Sequence, residues 1–100
     1  MTWIPKYHDD HQVVFHNPEN NHFFLAVRWR SYYWIEVLSP SRVFDGGVGP
    51  SGFFKRLVGG FLTHCECRQY KAEMIPEPLT DTEWEALVAN PTPYFVKLML

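Results

Sequence analysis

Residues 23–38, FFLAVRWRSYYWIEVL, constrain the fold more than any other part of the chain. On a period of two, Phe23, Leu25, Val27, Trp29, Ser31, Tyr33, Ile35 and Val37 share one face, and only Ser31 among them is not apolar. The other face carries Phe24, Ala26, Arg28, Arg30, Tyr32, Trp34, Glu36 and Leu38. Wound as a helix, the segment would scatter Arg28, Arg30 and Glu36 around the axis and spoil every apolar stripe, so an extended conformation is expected. At about 3.3 Å per residue a straight strand over 23–38 would run to about 50 Å. A chain of 100 residues cannot hold that, so the segment must bend, bulge or break, and the expected place is Arg30-Ser31.

The rest of the chain is read around this segment. Residues 12–16 alternate weakly and suit a short strand. Asn17-Pro18-Glu19-Asn20-Asn21 then supplies a hairpin loop, in which Asn20 or Asn21 can take the left-handed conformation. Residues 39–52 form a Gly/Pro/Ser loop that carries Val43 and Phe44. Beyond it the period changes. Phe53, Phe54, Leu57, Val58, Phe61 and Leu62 line one face of a helix, Lys55 and Arg56 lie opposite, and Ser51 can cap its start. Gly59-Gly60 costs that helix about 2 kcal/mol relative to alanines, so packing must hold it or it ends early. Residues 64–75 fit a strand better than a helix, and Pro76-Glu77-Pro78 is an extended connector. Thr80 and Glu83 form a capping box for a helix whose inward stripe is Trp84, Leu87 and Val88, stopped by Asn90-Pro91. Residues 94–100 read as a final strand. The expected order is β-β-α-β-α-β, an α+β single domain over 1–100 with a mainly antiparallel four-stranded sheet and two helices packed on one face.

Composition narrows the function classes. Net charge is −2 with histidine neutral, which argues against a general polyanion binder but allows a local basic patch. The N-terminal residues have no apolar core behind lysines, so no signal peptide is expected. No apolar run approaches the roughly 18 residues of a bilayer span, so no membrane partner is expected. Cys65 and Cys67 are too close in sequence for an unstrained bridge, and they are read as reduced thiols of a cytoplasmic protein.

Gly47-Val48-Gly49-Pro50-Ser51-Gly52 spells a dinucleotide fingerprint, but it lacks the preceding buried strand, and Pro50 removes an N–H that a phosphate could use. His64-Cys65-Glu66-Cys67, together with His16 and His22, is the best metal candidate; it lacks the usual spacer and a second cysteine pair, so no metal site is expected. On a strand His64 faces away from Cys65, which leaves the thiol without a base, and no enzyme activity is expected.

What remains is a binding surface. Arg28, Arg30, Tyr32 and Trp34 set arginines beside large rings, in a chain that is 17% aromatic. That composition is enriched where proteins bind one another. With Phe44 on the long loop and Lys55 and Arg56 on the first helix, these residues form the candidate site. The expectation is a small non-catalytic protein-binding module without a cofactor, of the inhibitor or accessory type that phages and mobile elements direct at host proteins. Homo-oligomer formation is compatible with it. Second comes a single-strand nucleic-acid binder that stacks bases on the same rings, and third a small His/Cys metal protein.

Overall fold

The computed structural model describes residues 2–40 and 67–100. In that part five strands form one antiparallel sheet in sequence order: β1 (Ile4–His8), β2 (Gln12–Asn17), β3 (His22–Arg28), β4 (Tyr33–Pro40) and β5 (Cys67–Ile75). Two helices follow, α1 (Asp81–Ala89) and α2 (Thr92–Met99). The α+β class and the antiparallel sheet match expectation, and two helices are present, but only α1 is one of the two expected; α2 lies where a final strand was expected. The sheet has five strands where four were expected, and the order differs. The expected loop beyond Pro40, the helix over 53–62 and the His64-Cys65 pair lie outside the described residues.

The aromatic segment resolves its excess length by reversing. Arg28 pairs with Tyr33, and Trp29 N–H donates to the Tyr32 carbonyl at 2.9 Å, closing a four-residue loop that contains Arg30-Ser31. This reversal corrects the expected faces. Opposite residues of an antiparallel pair share a face, and here odd positions of β3 meet even positions of β4. Phe24, Ala26 and Arg28 therefore lie with Tyr33, Ile35 and Val37, while Phe23, Leu25 and Val27 lie with Trp34, Glu36 and Leu38.

Each face buries an apolar cluster. Val13, Phe15, Phe24, Ala26, Tyr33, Ile35 and Val37 pack under Trp84 and Leu87 of α1 and Leu98 of α2. Val14, Phe23, Leu25, Val27 and Leu38 form the second cluster, with Tyr7 and Trp34 against it. Strands buried on both sides explain why the segment reads as nearly unbroken apolar sequence rather than a clean alternation.

Local chemistry sets the turns. At the β2–β3 hairpin the Asn17 carbonyl accepts from Asn21 N–H at 2.8 Å, the Asn17 side chain accepts from Glu19 N–H at 2.9 Å, and Asn21 stands at φ 61°. Asparagine tolerates that left-handed position because its short polar side chain bonds locally. The capping box forms as expected: Thr80 Oγ1 accepts from Glu83 N–H, and Glu83 Oε1 accepts from Thr80 N–H.

Residues 94–100 are not a strand. Residues 94–99 belong to α2, which starts at Thr92 behind Pro91, with Pro93 in its first turn and Leu100 at its C-cap. Prolines are accepted there because the first helical N–H groups need no partner within the helix. Tyr94, Phe95 and Leu98 then fall on one face, and Phe95 meets Phe24 edge-on at 6.1 Å and Trp3 at 5.1 Å. No helix among the described residues is long and apolar enough to cross a membrane.

Candidate functional site

The loop from Trp29 to Tyr32 stands at one end of the sheet with two cavities beside it. The first is an apolar cleft of about 560 Å³ lined by Trp29, Ser31, Tyr32, Trp34, Met74 and Pro76. The reversal at Arg30-Ser31 folds Trp29 back on Tyr32, and the rings stack at 4.6 Å and 22°. Cross-strand pairing brings Met74 of β5 opposite Trp34 of β4. Trp34 is fixed by its indole N–H, which donates to Oε2 of the buried Glu36 at 3.3 Å. Trp29 stays 40% exposed and Met74 51% exposed, large values for side chains of this kind.

The second cavity, about 360 Å³, is polar and is lined by Asp10, His11, Arg28, Asp81, Trp84 and Glu85. Arg28 occupies it with most of its donors engaged. Its Nε donates to the Asp10 carbonyl at 2.6 Å, and one terminal nitrogen donates to the Leu79 carbonyl at 3.2 Å and contacts the Asp81 carboxylate at 3.0 Å. Its guanidinium lies 5.1 Å from the centre of the Trp84 ring. The Trp84 indole donates in turn to the Asp9 carbonyl at 3.0 Å. Arg28 thus ties the β1–β2 turn to the start of α1.

Asp9 shapes that turn. Burial pushes its carboxyl upward, but hydrogen bonds from His11 N–H, the Tyr7 hydroxyl and the side chain and N–H of Gln12 outweigh this and hold it below the ordinary aspartate value. The bond to Asp9 also raises the Tyr7 phenol. On the same sheet face, Lys97 donates to the hydroxyl of Tyr33, the residue opposite Arg28, at 3.2 Å, and that bond raises its ammonium pKa. A lysine held charged in this way is a poor nucleophile.

No protein family, curated protein or solved structure matches this chain. The site must therefore be judged on its own geometry.

That geometry divides the expected residues. Tyr32 and Trp34 come together in the cleft, and Arg30 projects exposed from the loop that forms it. Arg28 lies on the helix-covered face and not beside Trp34, so the expected common face of Arg28, Arg30, Tyr32 and Trp34 does not form. Phe44, Lys55 and Arg56 lie outside the described residues. Trp29, Met74 and Pro76 were absent from the expected site. On a period of two Trp29 falls on the apolar face, away from Arg30, Tyr32 and Trp34, and no local signal pairs Met74 with Trp34 across 40 positions.

The histidines flanking the first hairpin also separate. His16 bonds Asn21 Oδ1 at 2.6 Å and lies against Phe23, whereas His22 sits on the opposite sheet face, stacked on Tyr70 at 6.5 Å. They do not converge on one ion. No group of three potential ligands occurs among the described residues, and His64 and Cys65 fall outside them.

Proposed function

We propose that this chain is a non-catalytic protein-binding module whose contact surface is the Trp29–Tyr32–Trp34–Met74 cleft. The observation that supports it is the exposure of Trp29, stacked on the half-buried Tyr32, and of Met74 around one apolar hollow. Tryptophan and tyrosine anchor the energetic centres of protein interfaces, and methionine adapts its shape to a partner. Trp34 is fixed by Glu36 before any partner arrives, which lowers the ordering cost of binding. Among the described residues the cleft lining holds no cation, whereas a single-strand nucleic-acid groove combines stacking rings with positive charge. Action as a cytoplasmic inhibitor or accessory protein on a host target belongs to the same proposal.

The test is capture of partners from a host lysate with wild type, Trp29→Ala and Met74→Ser, with the melting temperature of each recorded. A partner held by wild type and lost by both folded variants supports the cleft. Binding that is unchanged in both variants rejects it. Association with a random single-stranded oligonucleotide that falls steeply with salt would favour the nucleic-acid reading instead.

A further inference from the structure

The two edges of the sheet differ. On β1, Pro5 removes one edge donor and Lys6 is bulged out of register between Pro5 and Tyr7. Both edges carry a lysine and a bulge, but only β1 carries a proline, which keeps an edge strand from donating to another chain at that position. β5 runs nine residues without proline and has a strand neighbour on one side only among the described residues. Its bulge, at Tyr70, is the fourth of its nine residues and leaves Lys71 to Ile75 in regular register with β4. This edge also exposes large apolar groups on both sides of Ala72, with Tyr70 57% and Met74 51% exposed.

We propose that the outer edge of β5 pairs antiparallel with β5 of a second copy of this chain, about a two-fold axis at Ala72. Charge complementarity selects that occupant and that register. A two-fold axis at Ala72 makes residues equidistant from it face each other, so Lys71 of each copy meets Glu73 of the other. Both side chains are exposed, and neither forms an ion pair within the described residues. Shifting the axis by one residue to Lys71 or Glu73 would set like charges opposite each other, which is destabilising. The small Ala72 side chains meet at the axis, where bulk would crowd. The strand is thus self-complementary, as an isologous interface requires. The paired sheets would form one continuous sheet with both sets of helices on the same side. Met74 borders both this edge and the cleft, but Lys71 and Glu73, on which the pairing turns, do not line the cleft, so their reversal tests the edge alone.

Sedimentation equilibrium with the full chain tests it. Wild type should show a monomer–dimer equilibrium. Lys71→Glu and Glu73→Lys should each weaken the dimer about tenfold or more, since each turns two attractive cross-strand pairs into two repulsive ones. The double exchange should restore the dimer. An equimolar mixture of the two single variants should form a heterodimer, because the acidic edge of one then faces the basic edge of the other. That mixture and the double exchange both separate loss of pairing from loss of folding. A wild type that is monomeric at every concentration overturns the proposal. So does a dimer indifferent to both single reversals, or one that neither the double exchange nor the mixture recovers.

Discussion

The notch around Arg28 and the cleft around Trp29 flank the same hairpin and use their side chains in opposite ways. Arg28 is largely engaged: its side chain is 13% exposed, and Nε and one terminal nitrogen go to the Asp10 and Leu79 carbonyls and to Asp81. Trp29, the next residue, stacks on Tyr32 and leaves much of its ring in water. A polar group that bonds carbonyls inside the chain holds the fold, because removing it strands its partners. An apolar ring left exposed beside others gains nothing for the fold from that exposure and is free to gain from a partner. Composition alone, arginine beside tryptophan, does not distinguish the two roles.

The largest effect expected of any substitution here is at Arg28. Arg28→Ala should destabilise the protein by about 2–4 kcal/mol, because two carbonyls lose a charged donor and Trp84 loses the cation on its face. Asp81→Ala should cost less than about 1 kcal/mol, since that carboxylate is 92% exposed and solvent screens the pair. Urea unfolding of both variants checks this. Equal losses would mean that the ion pair, and not the carbonyl bonds, carries the effect, and the notch would then be a surface feature like the cleft.

The cleft should answer in reverse. Trp29→Ala is expected to weaken partner binding by about 2 kcal/mol or more while changing stability by less than about 1 kcal/mol. Calorimetry of binding and unfolding on the same variant measures both. A large loss of stability would place Trp29 with Arg28 and erase the distinction between the two regions.

The third prediction concerns the turn on which Arg28 docks. The Asp9 carboxyl titrates below its ordinary value in the folded chain. Its contribution is therefore fully present above the unfolded value, about 3.9, and is lost as pH falls through the folded one. Wild type should lose about 1 kcal/mol more than Asp9→Asn when melted across that acid range, with no difference between them in slope near neutrality. Parallel pH profiles would show that the charge on Asp9 does not hold the turn.

Much of this architecture is legible in local sequence. The Asn-rich hairpin, the capping box at Thr80 and the break at Arg30-Ser31 each follow from a few adjacent residues, and each is present. The pairing of faces was not legible, because it depends on the number of residues in the reversal. An odd loop at Arg30-Ser31 would have kept Arg28 and Trp34 on one face; the observed loop separates them. Residues 94–100 were misassigned for a related reason. Tyr94 to Leu100 is apolar at both periods, and the deciding signal lies upstream, in prolines that a helix accepts in its first turn and that a strand would not favour. The cleft depends on Met74 reaching Trp34 across the sheet, a contact between residues 40 positions apart that no periodicity encodes.

The smallest effect expected is at Arg30, and it sharpens the comparison most. Arg30 is two residues from Arg28 and chemically identical, yet it stands exposed on the loop, with no ion pair among the described residues. Arg30→Ala should leave stability within about 0.5 kcal/mol of wild type, as surface substitutions away from special features do. Any role at the rim of the cleft should instead appear in association rate, because an exposed rim charge steers encounter more than it holds the complex. Stopped-flow or surface-capture kinetics should show slower association at low salt, an unchanged dissociation rate, and convergence with wild type as salt rises. A changed dissociation rate would mean that Arg30 is desolvated in the complex and belongs to the anchor with Trp29. A loss of stability comparable to that at Arg28 would mean that arginine on this hairpin is structural wherever it falls.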